Sequence, residues 1–321
     1  MGYSLNNMAA KIVEEQIIPN AEALNCEVLK LSNGATVIDM GINVKGGWKA
    51  AKLFTDSCCG GMGELVYQSM YVGKHLVPTT VIQVDKPDVT QLGSHIAGLY
   101  VPYKGKNQPI SGPLRSIVST DHWSDRVTYR DTEAKKAVGH AQITTLPDED
   151  LTELICDRIH MSPKDLYLMA APTSCVVGAV QIVARNLEQA FATTGDHLDF
   201  PVNSVVQAIG YSPVISIEDD EIIAMGRVND GLIYGQESIF YMDCEDDDIL
   251  RFADSLPMCK NETVWGIPFE DMFREAGSDW AKVPRDYDAP CKVNFVNIRT
   301  NHFFPIGALH YGVLERDFMG Y

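Results

Sequence analysis

The stretch AAPTSCVVGAVQIVARNLEQAFATTGD, residues Ala170–Asp196, decides the fold prediction because it joins a predicted strand to a long predicted helix. The strand ends at Pro172. Thr173 or Ser174 supplies an N-cap hydroxyl for the helix, and Gly195 is a typical helix end. At about 100° per residue, one side of this helix is continuously apolar. That side consists of Val176, Val180, Val183, Leu187, Ala190 and Phe191. We expect it to face the core.

The opposite side of this helix carries Gln181, Arg185 and Glu188 among small residues, and the latter two are the only charges between Cys175 and Phe191. They stand three residues apart, so their side chains can meet. Such a pair contributes only about 0.2–0.5 kcal/mol on a solvated helix, too little to explain its isolation in an apolar segment. A role in a pocket explains it better. A partly buried ion pair that anchors a neighbouring loop is the alternative, and periodicity leaves both open.

Hydrophobic periodicity and turn residues predict strands and helices along the rest of the chain. CEVLKL and ATVIDM flank Ser32-Asn33-Gly34, and this pattern predicts a hairpin. Further strands are predicted at Thr79–Val84, Ala137–Thr144, Asp165–Ala170, Asn203–Ile209, Gly231–Met242 and Lys292–Ile298. Helices are predicted at Asn6–Ile18, Pro147–Ile159, Ser174–Ala192, Asp246–Ser255 and Phe269–Ala276.

Helices and strands interleave without a strict βαβ rhythm, which predicts an α+β (mixed α/β) fold. A chain of 321 residues has room for two structural domains with interleaved segments, although one large mixed domain remains open. Residues 100–112, rich in Pro, Gly and Lys, are the candidate boundary loop.

The charge balance is acidic, with 26 Lys and Arg against 43 Asp and Glu and a net charge of −17. This argues against a broad electrostatic grip on nucleic acid or an anionic membrane. The N-terminal segment has no apolar run of the signal-peptide type, and no apolar run reaches membrane-spanning length. The eight cysteines lack C-x-x-C spacing. We therefore expect a cytoplasmic protein with reduced thiols.

No residue pattern indicates a metal site or a permanently bound cofactor. The eight histidines lack H-x-x-x-H spacing, and neither G-x-x-x-x-G-K-[ST] nor a G-x-G-x-x-G that opens a βαβ unit is present. We assign no metal ligands and expect no nucleotide cofactor. The acidic runs at 219–221 and 245–248 are interpreted as solvated helix starts, because acids favour helix N-termini.

The helix that carries Arg185 and Glu188 resembles the signature of methenyltetrahydromethanopterin cyclohydrolases, A-P-T-x-S-x-V-G followed by R-x-x-E. Similar stretches occur in the expected order across nearly the whole chain. They are LSNGATVIDMGINVKGG, DSCCGGMGE, QLGSHIAG, SGPLR, AIGYSPV, AMGRVNDGLIYG and APCKVNF. This chain departs from the pattern in reading APTSCVVG, and it has Ile96 where several relatives have lysine.

The resemblance implies that Arg185 and Glu188 are the catalytic pair of a cytoplasmic hydrolase, a homotrimer whose substrate lies in a cleft between domains. It also implies one-carbon metabolism in methanogenic or methane-oxidising archaea, with methylotrophic bacteria as another setting. The implied reaction is the reversible hydrolysis of N5,N10-methenyltetrahydromethanopterin to the N5-formyl compound. Glu188 is then general base and acid, and Arg185 orients it.

Several weaker motifs provide candidate contacts for the pterin substrate, each with a structural alternative. Backbone N–H groups at Gly60 and Gly61 suit a phosphate or carboxylate, although a turn that binds nothing is as good a reading. The remaining candidates are His95, Ser111, Gly112, Arg115, Thr173, Ser174, Gln181, Asn229 and Asp230. Loop chemistry and surface charge are the alternatives for the Ser111–Arg115 and Asn229–Gly231 motifs. His95 is also a candidate replacement for the lysine absent at Ile96.

Two other functions compete with the cyclohydrolase hypothesis. One is a catalytically idle, pterin-binding relative of the same fold, against which the retention of both Arg185 and Glu188 argues. The other is an unrelated metal-dependent amidohydrolase, for which the sequence offers no ligand pattern.

Overall fold

The computed structural model describes residues 2–198, 200–253, 264–277, 282–283 and 289–319. The chain forms two compact units, each assembled from separated segments: unit 1 comprises Met1–Glu64 and Val89–Gln181, and unit 2 comprises Leu65–Asp88 and Ile182–Tyr321. Each unit contains one six-stranded sheet with both parallel and antiparallel neighbours. The predicted mixed fold is confirmed.

The strands and helices follow one another in chain order without a regular alternation. The strands are β1 Glu27–Lys30, β2 Thr36–Asp39, β3 Gly63–Val72, β4 His75–Asp85, β5 Leu99–Tyr103, β6 Lys106–Ser111, β7 Ala137–Gln142, β8 Leu166–Ala171, β9 Val205–Pro213, β10 Glu237–Met242, β11 Lys292–Asn297 and β12 His302–Gly307. The helices are α1 Leu5–Ile12, α2 Trp48–Cys58, α3 His122–Asp125, α4 Glu149–Ile159, α5 Val176–Val183, α6 Asn186–Leu198, α7 Glu221–Gly235, α8 Asp246–Ala253, α9 Phe269–Glu275 and α10 Tyr311–Met319.

The sheet of unit 1 has the order β1-β2-β8-β7-β6-β5, with β8 parallel to both β2 and β7. The predicted hairpin is confirmed, because β1 pairs antiparallel with β2 from Glu27 opposite Asp39 to Lys30 opposite Thr36. Helix α4 begins at Asp148, whose side chain accepts from Leu151 N. Its buried residues and the inner faces of β5, β6 and β8 form one hydrophobic cluster of this unit.

The sheet of unit 2 has the order β12-β11-β10-β9-β4-β3. Its central strand β9 runs antiparallel to β4, with Thr79 opposite Pro213, and antiparallel to β10, with Glu237 opposite Tyr211. A second hydrophobic cluster joins α7, α9 and α10, and Tyr234 of α7 is fully buried in it. The Tyr234 hydroxyl donates to the Val264 carbonyl at 3.1 Å, so even the buried ring has a partner for its polar atom.

Two predictions, one of a helix and one of a strand, are wrong in part. The predicted helix Ser174–Ala192 is interrupted at Ala184 and Arg185, and its second half continues through Gly195 to Leu198. The first five residues of the predicted strand Gly231–Met242 belong to α7. A short apolar run cannot distinguish a buried helix from a strand, and here the Asp220 cap starts a helix that continues into that run.

Other boundaries also differ from the predictions. The predicted opening helix is α-helical at first and becomes a π-helix over Val13–Ile17. Residues 100–112, predicted as a boundary loop, form the β5–β6 hairpin inside unit 1. Helix α8 is described as far as Ala253. The last two residues of the predicted helix Asp246–Ser255 lie outside the described residues, as does Cys259. Periodicity did not find α2, α3, α7 or α10.

The Asn6 side chain ties the start of the chain to the rest of unit 1. Its Nδ2 donates to the Pro113 carbonyl at 2.8 Å and to Asp131 Oδ2 at 2.9 Å, and its Oδ1 accepts from Val138 N at 3.1 Å. Asn6 is fully buried. Removal of this amide would leave several buried polar groups without their partner, which is costly.

We expect Asn6→Ala to lower the free energy of unfolding by about 2–4 kcal/mol, since a cavity and more than one unpaired polar group result. Urea denaturation followed by circular dichroism measures the change. Asn7→Ala is the matched control, because Asn7 bonds the backbone of Glu133 and Lys135 from a partly exposed position. A loss at Asn6 no larger than that at Asn7 would contradict the interpretation.

Candidate active site

The Arg185–Glu188 pair lies at the junction of α5 and α6, with Arg185 in the turn and Glu188 in the first turn of α6. Arg185 N donates to the Ile182 carbonyl at 2.9 Å, and Gln189 N donates to the Arg185 carbonyl at 2.8 Å. The first bond closes a tight turn after α5, and the second belongs to the start of α6. Arg185 therefore lies in the turn that separates α5 from α6, not in the middle of one helix.

The side chains of this pair meet, as their spacing predicted. Arg185 Nη1 lies 2.6 Å from Glu188 Oε2, and each side chain is 15% exposed. A charge-assisted hydrogen bond of this length restricts both groups. Because the exposed fraction is small but not zero, a small molecule that reaches the carboxylate would meet it largely out of bulk water.

The cap of α5 is a cysteine, which corrects the prediction of Thr173 or Ser174. Cys175 Sγ accepts from Gly178 N at 3.3 Å and donates to the Pro172 carbonyl at 3.2 Å. In the signature A-P-T-x-S-x-V-G, Cys175 occupies the serine position. A thiol can fill the capping role of a hydroxyl at this longer distance.

Three of the predicted motifs come together in unit 1 around Cys58. Cys58 Sγ donates to Ser111 Oγ at 3.5 Å and to the His95 carbonyl at 3.9 Å. Ser94 Oγ donates to the Cys58 carbonyl at 2.7 Å, and Gly112 N donates to the Ser94 carbonyl at 2.9 Å. The stretches DSCCGG, QLGSH and SGPLR thus form one buried polar cluster.

Gly60 and Gly61 form the turn after α2, and both have positive φ angles, 68° and 69°. A Cβ added at Gly60 would lie 2.9 Å from Leu5 Cβ, and one at Gly61 would lie 3.2 Å from Met8 Cβ. Backbone conformation and the close approach of α1 therefore both require glycine here. These contacts explain the glycines without a ligand.

Arg115 is fully buried in unit 1, and its guanidinium is engaged by protein groups. Nε and Nη2 donate to Asp121 Oδ2 at 3.1 and 2.6 Å, and Nη1 donates to the Leu92 carbonyl at 3.0 Å. Burial opposes ionisation of Asp121, but the charge and hydrogen bonds of Arg115 hold the pKa of this carboxyl below its usual range. The geometry favours a structural role for Arg115 over contact with an anionic substrate tail.

Asn229 and Asp230 lie within α7, which corrects their assignment to a loop. Asn229 Nδ2 donates to the Met225 carbonyl one turn earlier at 2.8 Å. Asp230 is fully buried, and its Oδ1 accepts from Phe269 N at 2.8 Å. Burial and the neighbouring Asp317 carboxylate raise the pKa of Asp230 well above its ordinary value, and burial raises that of Asp317 too.

The remaining predicted contacts lie near the Ala170–Asp196 segment. Thr173 is buried and its Oγ1 accepts from Gln142 Nε2, Ser174 is half-buried, and Gln181 is 2% exposed. Asp39, which lies beside Ala170 in the sheet, was not singled out from the sequence. Its carboxylate accepts from Gly41 N, Ile42 N and Asn43 N at 2.9, 2.7 and 2.8 Å. An aspartate at a strand end followed by glycine was the available signal.

Among the described residues, no group of three or more His, Cys, Asp and Glu side chains is arranged to hold a metal ion. The seven cysteines in that part of the chain are free thiols. Within the same residues, every helix is too short or too polar to cross a bilayer.

Comparison with known proteins identifies the family to which this chain belongs. The chain matches the cyclohydrolase (MCH) family over residues 4–318, and it belongs to that family. It is 34% identical to the methenyltetrahydromethanopterin cyclohydrolase of Methanobrevibacter smithii. The alignment spans 316 residues and covers 97% of this chain and 98% of the relative. The proteins of the same name from Methanothermobacter marburgensis and Methanococcus maripaludis are also 34% identical, over 97% of this chain and 98% and 97% of theirs. The resemblance is confirmed.

The buried Asp230–Asp317 pair predicts a stability that depends on pH. Because the pKa of both carboxyls is raised in the folded state, the folded protein keeps a proton that the unfolded chain loses near the ordinary aspartate pKa. The resulting penalty is absent in acid and grows as pH rises. Asp230→Asn keeps the acceptor for Phe269 N and removes one charge. We expect it to raise the Tm at about pH 8 and to flatten the decline of Tm from about pH 4 to 8.

Thermal unfolding followed by circular dichroism measures this effect across the pH range. Arg316 lies 3.6 Å from Asp230, 2.9 Å from Asp317 and 3.9 Å from Asp271. Asp271→Asn is the control, because Asp271 has the same neighbour but is 63% exposed. If Asp230→Asn were no more stable than the parent protein at any pH, the interpretation that the buried pair retains a proton in the folded state would be wrong.

Proposed function

We propose that this protein catalyses the reversible hydrolysis of N5,N10-methenyltetrahydromethanopterin to N5-formyltetrahydromethanopterin. The observation that carries the proposal is the 2.6 Å contact between Arg185 and Glu188 at the turn between α5 and α6. The activity named for its relatives is a cyclohydrolase reaction on this substrate, and the proposal assigns the same reaction to this chain.

The substrate makes modest chemical demands on the protein. Its methenyl carbon lies between two nitrogens and carries delocalised positive charge, so it is already electrophilic. Water needs a group that accepts its proton as it adds, and the leaving N10 later needs a proton. One carboxylate can serve both needs in turn.

Glu188 is the proposed proton carrier. As water attacks the methenyl carbon, one O–H proton passes to the Glu188 carboxylate and a C–O bond forms. Glu188 then returns this proton to N10 while the C–N10 bond breaks and the hydroxyl proton is released to solvent as the N5-formyl carbonyl forms. Overall, the cation and water give the formyl product and one proton. Condensation follows the same steps in reverse.

Arg185 has two opposing effects on this reaction. Its charge disfavours a cationic substrate nearby, but its donor to Glu188 holds the carboxylate in one orientation and favours its ionised form. Since the pair is neutral as a unit, the repulsion is largely offset. Fixed orientation of a base toward attacking water is an established source of rate enhancement.

The other proposed pterin contacts differ in how much side chain they offer. Ser174 and Asn229 are half-buried, whereas Arg115 and Asp230 are fully buried and bonded within the protein. We therefore favour Ser174 and Asn229 as contacts with the pterin substrate, and we assign Arg115 and Asp230 a structural role. A homotrimeric, cytoplasmic enzyme of archaeal one-carbon metabolism is the corresponding proposal for assembly, location and setting.

We expect Glu188→Gln to lower kcat by about 10²- to 10⁴-fold while substrate still binds, because the amide cannot accept the proton of water. Loss of the methenyl absorbance measures turnover, and fluorescence or calorimetric titration measures binding. Glu270→Gln is the matched control, since Glu270 forms an ion pair with Arg274 one turn away on α9. Near-parent turnover by Glu188→Gln would refute the assignment, and an inactive parent protein that binds the pterin would favour the idle relative.

We expect Arg185→Ala to lower kcat by at least about tenfold and Arg185→Lys to recover part of the loss, because lysine restores charge but not the forked geometry. The same absorbance assay separates kcat from KM, with Arg274→Ala as the control. A rise in KM at unchanged kcat would assign Arg185 to substrate binding.

A further inference from the structure

The turn that presents Arg185 and Glu188 is held by a buried amide from a distant part of unit 2. Gln236, which follows α7, donates from Nε2 to the backbone carbonyl of Asn186. Asn186 lies between Arg185 and Glu188 in the sequence, and both Gln236 and Asn186 are fully buried. This bond therefore reaches the backbone of the first turn of α6 itself.

The Asn186 side chain fixes the same turn from within. Its Oδ1 accepts from Leu187 N at 2.7 Å, which satisfies one of the helix-start N–H groups that lack a partner in the helix. Asn186 thus contributes twice, through its carbonyl to Gln236 and through its side chain to the next residue.

Strand β9 approaches this turn closely enough to require glycine. A Cβ built on Gly210 would lie 2.0 Å from Asn186 Oδ1 and 2.9 Å from Leu187 Cγ. Contacts that short do not occur, so even alanine would displace the start of α6. Gly210 lies on β9, and Gln236 directly precedes the neighbouring strand β10, so two adjacent strands of the same sheet contact the turn.

Gln236 is itself fixed. Its side-chain Nε2 also donates to Ser238 Oγ at 3.1 Å, and its backbone carbonyl accepts from Cys291 Sγ at 2.7 Å. Because Gln236 is buried, any movement of its side-chain amide would leave Nε2 without the Asn186 and Ser238 oxygens that it bonds. The side chain is therefore a rigid support and not an adaptable surface contact.

We propose that Gln236 and Asn186, together with Gly210, which packs against Asn186, are positioning residues. They fix the first turn of α6 so that Arg185 holds Glu188 in its reactive orientation. The inference rests on the proposed function, because it concerns the same catalytic pair. Neither side chain needs to touch the substrate. Their effect passes through the backbone between Arg185 and Glu188.

This proposal predicts a specific kinetic signature. A carboxylate that is held less firmly by its guanidinium takes up a proton at higher pH. Loosening the turn should therefore lower kcat, leave KM nearly unchanged, and move the acid limb of the kcat–pH profile to higher pH. A purely structural loss of folded protein would lower the apparent kcat without moving the profile.

The main test is Gln236→Met, which keeps the length of the side chain and removes the amide donor. We expect kcat to fall roughly ten- to a hundredfold, as for small displacements of reacting groups, with KM within about twofold and the acid limb shifted upward. Gln108→Met is the matched control: Gln108 Nε2 also donates to a backbone carbonyl, that of Gln142 at 3.1 Å, in unit 1. Its kcat and pH profile should match the parent protein.

Gly210→Ala provides a second test that leaves the Gln236 amide intact, and it decides the matter if Gln236→Met does not fold. We expect the same fall in kcat and the same shift of the acid limb. Parent-like kcat and pH profile in the folded variant would overturn the inference, provided that Glu188→Gln is inactive. Full turnover by Glu188→Gln would instead refute the proposed function, so the two failures are distinguishable.

Discussion

The contact between Arg185 and Glu188 is the constraint on which the rest of the proposed site depends. Two charges lie in a segment that is otherwise apolar, and they are tolerated because each neutralises the other at 2.6 Å. The turn at Ala184 and Arg185 makes this possible, since it ends α5 and starts α6 at the charged residues. Strand β9 and the Gln236 amide then fix that turn, so the sheet of unit 2 supports a pair of side chains that it does not itself carry.

Local patterns predicted those parts of the structure that local physics determines. The Asn33-Gly34 turn predicted the first hairpin, and the apolar face of Val176–Val183 predicted α5. The three-residue spacing of Arg185 and Glu188 predicted their contact. Each of these features depends on residues within one or two turns of the chain, where periodicity and capping apply directly.

Other features depend on contacts between residues distant in sequence, which periodicity does not contain. The apolar run 231–235 is helical because α7 extends into it from Asp220, and the helix break at Arg185 is supported by Gly210 and Gln236. Cys175 is the cap because it directly precedes α5 and its sulfur accepts from Gly178 N. The cluster around Cys58 joins its motif to two others that lie 36 and 53 residues later in the chain, at Ser94 and Ser111.

The segmented construction of the two units has a consequence for biosynthesis. Strand β4 leaves the ribosome long before β9, its partner in the centre of the second sheet, because Thr79 pairs with Pro213. The β3–β4 ribbon must remain unpaired along one edge while the remaining strands of the first sheet are made. A nascent chain with such an edge is prone to pair with other chains, and β4 can pair with β9 only after about two thirds of the chain has been made. Truncation after Gln181 would remove β9 and leave that ribbon permanently without its neighbour.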